Sequence, residues 1–423
     1  MKRLLTLLLI LLPLALFAQS EREALLADYK ANVHRTCANT APYEFIPGPQ
    51  TRVPKGYKPF YISHYGRHGS RNNWNNKYRN YEQLSGWYHK ADSAGILTAE
   101  GKAAMQLVDS VIVLHAGMDG RLTPLGAQEH RQIAHRMYVN NRNVFRKGSK
   151  KIVARSSIVP RVLVSMAAFT GELLSLQKDL DVSWDSGERL MSILSSDHTR
   201  EMSSRTNAWK KEWGKQHTYG TEAFLKRIFT DPEAGRAIVD NNPERLMRRN
   251  YEVASVCPAF GLDDRLFDLF EWPDLLFFGE GKNISLYMNE CNSVEMGDER
   301  MPGTDSLIRD IIERADAAIA TGAVAADLRF GHDFQLLAAS ARLGLSGVAE
   351  RRTFEESVDW PAWRYSPFAG NFQLIFYKNK KGEVLVKPLL NERETAIVGL
   401  EGFPYYKWEE VRALWSRSLY SGR

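Results

Sequence analysis

Cysteine is scarce in this sequence. Its 423 residues contain three, Cys37, Cys257 and Cys291, so at most one disulfide can form. Cys257 and Cys291 lie in the same region of the chain, and we expect them to be the pair if a bond forms. The spacing of the cysteines resembles no metal site. A chain of this length can bury a core large enough to be stable without a disulfide framework.

Long apolar runs are almost absent as well. The single run, Leu4–Ala18, follows two basic residues and ends in a small residue, which is typical of a secretory signal peptide cut after Ala18. A membrane anchor is the alternative, but the run is short for a span of about 20 residues and contains Pro13. We therefore expect residues 1–18 to be a signal peptide. The protein would then be periplasmic or extracellular, as in a Gram-negative bacterium, with no membrane span.

No charge of one sign dominates the chain. It has 56 Lys and Arg residues against 50 Asp and Glu residues, and two of the basic residues, Lys2 and Arg3, belong to the predicted signal peptide. So mild an excess does not indicate a nucleic-acid partner, but it fits a small anionic substrate. The sequence also lacks internal repeats and, beyond the signal peptide, low-complexity tracts.

A basic loop follows the first predicted strand. Alternating bulky and polar residues from Phe60 predict a strand of about five residues, and two glycines then interrupt the pattern. Arg67, His68 and Arg71 stand within five residues of one another in this loop. Guanidinium groups crowd unfavourably unless an anion lies among them, and their forks match phosphate oxygens. Because open α/β sheets bind ligands at the carboxyl ends of strands, the loop is a candidate anion site.

A second unit of strand, loop and helix follows. Lys151–Ala154 predicts a short strand, and Pro160 marks the first turn of the next helix, which places Arg161 in that turn. The Arg161 side chain can lean back toward the carboxyl end of the strand, where the anion would lie. Arg155 competes with Arg161 as an anion ligand on position alone.

A third unit lies late in the chain. Asp327–Phe330 predicts a strand, and a glycine separates it from His332 and Asp333 at the start of a predicted helix. Two further strands, residues 371–377 and 383–390, predict a hairpin at the edge of the sheet.

The stretch from residue 181 to residue 303 differs in character, since it consists of charged helical runs without obvious strand alternation. We expect residues 19–175 and 301–423 to form an α/β core with a mainly parallel sheet, and residues 176–300 to form a mostly helical cap. Basic residues of the cap could hold further phosphates or simply face solvent. They include Lys210, Lys211, Lys215, Lys226, Arg227, Arg245, Arg248 and Arg249.

Together the three units resemble the histidine acid phosphatase family, whose core is similar to that of phosphoglycerate mutase. RHGSR fits the RHGxR signature of the family, and the later His-Asp pair fits its HD motif. The segment from Arg155 to Arg161 resembles the RSTDxxR segment, whose final arginine is a phosphate ligand, and this favours Arg161 over Arg155. Ile158 and Pro160 depart from that pattern.

The resemblance implies phosphate ester hydrolysis through a phosphohistidine, without metal or cofactor. His68 would be the nucleophile, and Asp333 would protonate the leaving alcohol. His68 must attack with a neutral nitrogen, so its other nitrogen should donate to a backbone carbonyl or a similar acceptor. The implied phosphate ligands are Arg67, Arg71, Arg161 and His332.

The preferred substrate stays open within the family. The HD pair is the form of acid phosphatases and many phytases, whereas multiple inositol polyphosphate phosphatases carry HAE. GRHGSR, Pro54–Tyr57 and Leu389–Glu392 nevertheless resemble the inositol phosphatase branch. We expect inositol polyphosphates, phytate included, to be substrates. A general acid phosphatase acting on sugar phosphates is the alternative, and a non-catalytic phosphate-binding protein is a minor one; the oligomeric state is not predicted.

Overall fold

The computed structural model describes residues 21–73 and 75–420, so the predicted signal peptide lies outside the described residues. A mixed sheet of eight strands forms the centre of the described chain. Its strands are β1 (Lys58–Arg67), β2 (Lys151–Ser156), β3 (Asp181–Ser186), β4 (Ala326–Gly331), β5 (Asn371–Lys378), β6 (Val384–Leu390), β7 (Arg393–Glu394) and β8 (Tyr406–Lys407).

Four strands on one side of the sheet run parallel, in the order β3-β2-β4-β1. Strands β5, β6 and β7 continue beyond β1 with antiparallel pairing, and β8 pairs with β6. Strand β4 lies between β2 and β1, since Ala326 is in register with Ile152 on one side and with Ile62 on the other. The predicted α/β fold with its mainly parallel sheet and its β5–β6 hairpin is confirmed.

Helices cover both faces of this sheet and form a separate layer beside it. They are α1 (described over residues 21–31), α2 (Asn75–Ser93), α3 (Ala99–His115), α4 (Pro124–Asn140), α5 (Arg142–Lys147), α6 (Pro160–Leu176), α7 (Met191–Leu194), α8 (Arg200–Gly214), α9 (Thr221–Ile228), α10 (Pro232–Ile238), α11 (Pro243–Ala254), α12 (Trp272–Glu290), α13 (Gly297–Arg300), α14 (Asp305–Thr321), α15 (Asp333–Arg342), α16 (Phe354–Ser357), α17 (Ala362–Tyr365) and α18 (Trp408–Tyr420). Short 3-10 segments are Val33–Thr40, Glu188–Leu190, Cys257–Phe260, Arg265–Leu269 and Met301–Thr304. Over the described residues, none of the helices has both the length and the apolar character needed to cross a membrane.

The side chains of β1 alternate between two covered faces of the sheet. Tyr61 and Tyr65 pack on one face in a cluster with residues of α14, α15 and α18, whereas Ile62 packs on the other with residues of α4 and α6. Every residue of β1 from Tyr61 to Arg67 is buried. A strand covered on both faces holds its carboxyl end in a fixed position, which matters for the residues that follow it.

A third apolar cluster joins helices that are far apart in the sequence. It contains Leu84 of α2, Val108 of α3, Phe224 of α9 and Leu246 of α11. Helices α2 and α3, which we expected to belong to the core, therefore pack with helices of the region that we expected to form the cap. The boundaries of the two domains stay a prediction.

The structure also decides the state of the cysteines and the character of the stretch after residue 181. Cys257 and Cys291, the pair we named if a disulfide formed, are free and buried in two different apolar clusters. Strand β3 lies in the stretch in which no strand was predicted. It is an edge strand whose side chains are all exposed or half-buried, and its apolar alternation is limited to Val182 and Trp184.

Candidate active site

Three adjacent parallel strands bring the candidate residues to one edge of the sheet. Arg67 ends β1 opposite Gly331, which ends β4, and Ser156 ends β2 opposite Phe330 of β4. Because the carboxyl ends of β2, β4 and β1 are neighbours, the loops that follow them meet. His68 and Arg71 follow β1, Arg161 follows β2, and His332 and Asp333 follow β4.

The loop after β1 is fixed by close packing against the start of α4. A Cβ atom on Gly69 would lie 2.4 Å from the carbonyl oxygen of Gly126, so only glycine fits at this contact. Thr123 caps α4 by accepting from Gly126 N, and its hydroxyl donates to Ser70 O. Glu129 of the same helix accepts from both the amide and the hydroxyl of Ser70 at 2.7 Å. These contacts fix the loop after β1 against the first turns of α4.

The orientation of His68 suits a nucleophile. Its Nδ1 lies 3.0 Å from the carbonyl oxygen of Gly69, which accepts a proton from that nitrogen and leaves Nε2 as the unprotonated nitrogen. Burial holds the pKa of His68 well below its ordinary value, and the neighbouring guanidinium of Arg67 and those of Arg161 and Arg71 lower it further. The imidazole is therefore neutral at neutral and mildly acidic pH, as the sequence analysis required.

Arg67 connects the nucleophile loop to Asp333. Its guanidinium is 1% exposed, and its Nη1 donates to the carbonyl oxygens of Asn39 at 2.5 Å and of Ser366 at 2.8 Å. Its Nη2 lies 3.2 Å from Oδ2 of Asp333. The side-chain amide of Asn39 donates to the same oxygen at 2.6 Å. Burial would raise the pKa of Asp333, but Arg67, Asn39 and His332 outweigh it and lower the pKa to about 2.

Arg71 and Arg161 complete a group of three guanidiniums. Burial and then Arg67 lower the pKa of Arg71 to about 10, and burial and then Arg71 lower the pKa of Arg161 to about 9. Pro160 occupies the first turn of α6, which sets Arg161 at the helix start, as predicted. The ring of Phe368 packs against the guanidinium of Arg67 at 4.7 Å from its centroid. A dianion placed among these groups would relieve their mutual repulsion.

His332 is held from two sides, by a residue of the loop after β2 and by a residue of β1. Its Nε2 lies 3.2 Å from the hydroxyl of Ser157, in the loop after β2. Its backbone amide donates to the hydroxyl of Tyr65, which itself donates to the carbonyl oxygen of Leu194. Burial, followed by the charge of Arg161, lowers the pKa of His332 to about 4. The rings of His68 and His332 have their centroids 5.7 Å apart.

The competing arginine of the sequence analysis lies elsewhere. Arg155 donates to both carboxylate oxygens of Asp310, at 2.8 and 3.0 Å, and contacts Asp327 at 3.4 Å. Its charge is thus compensated within the core, and Arg161 is the arginine of this segment that joins the candidate site. Sequence reasoning did not identify Asn39, Tyr65, Glu129, Ser157 or Phe368. Of these, Ser157 lies within the segment from Arg155 to Arg161 that resembles the family pattern, but the resemblance assigned it no role.

One cluster outside the candidate site has the composition of a metal site. Ligand atoms of Asp197, His198 and Glu290 lie within 4.8 Å of one another. However, Nδ1 of His198 lies 2.9 Å from the Asp197 carboxylate and 2.5 Å from that of Glu290, and Arg300 pairs with Glu290 at 3.0 Å. Hydrogen bonds to Asp197 and Glu290 raise the pKa of His198 to about 10. The cluster is therefore an ion-pair network around a protonated histidine.

Comparison with known proteins places the fold. The sequence matches no protein-family model and no curated protein. The crystal structure of Bifidobacterium longum multiple inositol polyphosphate phosphatase in complex with phosphate has a TM-score of 0.73 at 18% identity, covering 91% of this chain and 98% of that one. The complex of that protein with inositol hexasulfate has a TM-score of 0.71 at the same identity and coverage.

A phytase from D. castellii is a further relative in structure, with a TM-score of 0.66 at 14% identity over 92% of this chain and 86% of that one. At identities this low, similarity of structure establishes the fold and leaves the chemistry to be argued from the site itself. The chain has the α/β fold of these inositol polyphosphate phosphatases and phytases, the fold that its resemblance to the histidine acid phosphatases implied.

Proposed function

We propose that the protein is an exported phosphomonoesterase that works through a phosphohistidine on His68. The observation that carries the proposal is the bond from Nδ1 of His68 to a backbone carbonyl, which leaves Nε2 unprotonated on a ring near enough to three guanidiniums for their charges to lower its pKa. A non-catalytic phosphate-binding protein would need the cations alone, without an oriented nucleophile or an adjacent carboxylate. Phosphatases similar in fold, one of them in complex with phosphate, support the same conclusion.

The proposed reaction has two displacements at phosphorus. Nε2 of His68 attacks the phosphorus as the ester P–O bond breaks, and Asp333 gives its proton to the departing oxygen. Water then attacks the phosphohistidine, returning a proton to Asp333 and releasing inorganic phosphate. Charge stabilisation and positioning supply most of the catalysis of such transfers. The proposed phosphate ligands are Arg67, Arg71, Arg161 and His332.

Asp333 must carry a proton for the first step although its pKa is about 2 without substrate. A bound phosphate dianion raises that pKa, because like charges disfavour a second negative charge nearby. The dianion also occupies the guanidinium groups that stabilise the carboxylate. The proposal therefore requires an acidic optimum, at which a useful fraction of Asp333 is protonated in the complex.

A basic cavity supports inositol polyphosphates as the substrate class. The cavity has a volume of about 900 Å³ and is lined by residues of α8, α11 and α12. Burial, followed by the charges of Lys282 and Arg248, lowers the pKa of Lys210 to about 8, so these three cations stand close together. Lys282 donates to the hydroxyl of Thr40, next to the Asn39 that contacts Asp333. Lys282 thus links the cavity to the segment that contacts Asp333, and we propose that a ring bearing several phosphates engages both the cavity and the phosphate clamp.

The nucleophile is tested with an aryl phosphate. His68→Ala should abolish phosphate release, and radiolabelled substrate should leave phosphohistidine in denatured wild type but not in the variant. His135→Ala is the matched control, because His135 is a surface residue paired with Glu172. Turnover of His68→Ala at the wild-type rate would contradict the proposal. Binding of phosphate without hydrolysis of any monoester by the wild type would favour the binding-protein alternative.

The substrate class is tested with kcat/KM for phytate and for a sugar phosphate at acid pH. Phytate should have the larger value and the steeper decline with salt, because several charge contacts are screened together. Lys210→Ala should lower the phytate value at least about threefold and spare the sugar phosphate. Lys226→Ala, an exposed lysine on α9 outside the cavity, should change neither. Equal values for the two substrates at low salt would favour a general acid phosphatase.

A further inference from the structure

We propose that Asn39 is a positioning residue for the proton donor Asp333: it orients the carboxyl group so that Oδ1 carries the proton transferred to the leaving alcohol. The inference rests on the proposed function, since it concerns the same reaction. Asn39 lies outside all three motifs that point to the site, and 294 residues separate it from Asp333 in the sequence.

The contacts of Asn39 form a closed set of three residues. Its side-chain amide donates to Oδ2 of Asp333 at 2.6 Å, and its backbone carbonyl accepts from Nη1 of Arg67 at 2.5 Å. Arg67 closes the set through its contact of 3.2 Å with the same Oδ2. Both donors use Oδ2, so the transferable proton falls to Oδ1. Asn39 thus decides which carboxyl oxygen faces the ester and prevents rotation of the group.

The segment that carries Asn39 is anchored independently of the site. Thr36 accepts from the hydroxyl of Tyr251, and the carbonyl of Cys37 accepts from Lys282, so residues of α11 and α12 hold it in place. Ala38, just before Asn39, is fully buried and has φ of 52°, a left-handed value that is strained for alanine. Burial and tertiary hydrogen bonds maintain this strained backbone. They therefore also fix the position of the next side chain, that of Asn39.

The electrostatic consequence follows from the donor character of the amide. A hydrogen bond to a carboxylate favours its charged form, so Asn39 opposes premature protonation and allows Asp333 to act as base in the second step. The other charged or titratable groups that act on Asp333 are Arg67, Arg71, Arg161, His332 and Tyr65. Substitution of Asn39 leaves all of these in place, so its effect on Asp333 can be isolated.

The experiment compares wild type with Asn39→Ala and with Asn39→Asp, which is isosteric but replaces a donor by an acceptor. For an alkyl phosphate, whose leaving group needs a proton, Asn39→Ala should lower kcat/KM about tenfold on the acid plateau of the pH profile, where Asp333 is protonated in both proteins and only its orientation differs. For 4-nitrophenyl phosphate, whose leaving group departs without help, the loss should be less than about twofold. The limb of the pH profile in which activity falls as pH rises should move up by about one pH unit. Asn39→Asp should move it further because two carboxyls would share the site.

Asn32→Ala is the matched control. Asn32 caps the same 3-10 segment by accepting from His34 N and does not contact Asp333. If Asn39 only held the segment together, each variant would lose as much activity toward 4-nitrophenyl phosphate as toward the alkyl phosphate. Both variants would also keep the wild-type pH profile. That outcome would overturn the proposal.

A second measurement separates this proposal from the proposed function. Titration of the Asp333 carboxyl by ¹³C NMR needs no turnover, and the resonance can be assigned from its absence in Asp333→Asn. Wild-type Asp333 should stay ionised to the lowest pH at which the fold survives. In Asn39→Ala the pKa of Asp333 should be about one unit higher than in wild type. Identical titrations would refute the role of Asn39 even if the enzyme is a phosphatase. The predicted shift in a protein without hydrolytic activity would support the contact and refute the function.

Discussion

Replacing Asp310 by asparagine tests how the parallel strands are held together beneath the candidate site. Asp310 of α14 receives both nitrogens of the Arg155 fork from β2, and it accepts from Nε of Arg329 in β4 at 2.7 Å. The side chains of Arg155 and Arg329 are 4% and 0% exposed. Without the Asp310 charge, Asp327 alone would face two buried guanidiniums. Breaking a buried pair by removing one partner costs about 3–5 kcal/mol of unfolding free energy, and we expect Asp310→Asn to lose an amount in this range.

The assay is urea unfolding followed by tryptophan fluorescence, with Asp298→Asn as control. Asp298 pairs with Arg351 at the surface, where the side chains are 86% and 42% exposed, so its loss should cost no more than about 1 kcal/mol. Equal unfolding midpoints for the two variants would refute the reasoning. Burial alone would raise the pKa of Asp310, but Arg329 and Arg155 outweigh it and lower the pKa. The contribution of Asp310 to the free energy of unfolding is therefore complete above the ordinary carboxyl pKa of about 4. The difference in unfolding free energy between wild type and Asp310→Asn should become smaller as the pH falls below that value.

Three further predictions follow from the site. Gly69→Ala should reduce kcat/KM about 10²-fold, because its Cβ would collide with the backbone of Gly126. Gly171→Ala is the control: its Cβ would have open space, so the substitution should leave activity unchanged and could stabilise α6 by up to about 1 kcal/mol. Equal activity of the two variants would contradict this prediction. Tyr65→Phe should raise KM more than it lowers kcat for an aryl phosphate, since it removes the hydroxyl that accepts from His332 N; an unchanged KM would exclude that role. Because burial and the arginines keep the pKa of His68 well below its ordinary value, kcat/KM should not decline as the pH is lowered from about 7 to about 5. A decline centred at about pH 6.5 would show that His68 has the ordinary pKa of a histidine.

The sequence allows prediction of those site residues that stand at junctions of strand, loop and helix. Arg67 ends β1, while Arg161 and Asp333 lie in the first turns of the helices that follow β2 and β4. Strand and helix periodicity locates such junctions without knowledge of the partners across the sheet. The structure brings all of them to one edge, while their catalytic roles stay proposals. The parallel core could be predicted for the same reason, because repeated units of this kind build parallel sheets.

Residues that act through tertiary contacts could not be predicted. Asn39 lies in a segment without helical or strand periodicity, and only the folded chain brings it to Asp333. The choice of Cys257 and Cys291 as the pair, if a disulfide formed, relied on their distance along the chain, whereas the two side chains belong to different apolar clusters. Strand β3 was not predicted because its alternation is limited to two apolar residues, Val182 and Trp184, which is too short a pattern to distinguish it from the helical stretch around it.

The insertion of β4 between β1 and β2 has a consequence for how the chain acquires its structure. Tyr61 of β1 bonds to Asp327 of β4 across 266 residues of sequence, so β1 and β2 cannot complete their ladders until most of the chain has been synthesised. Contacts of such long range slow folding and leave strand edges open in the meantime. A nascent chain that stops before residue 326 would leave β1 unpaired on both edges and β2 unpaired on the edge that β4 covers, and we expect fragments of that kind to aggregate or to require a holding chaperone.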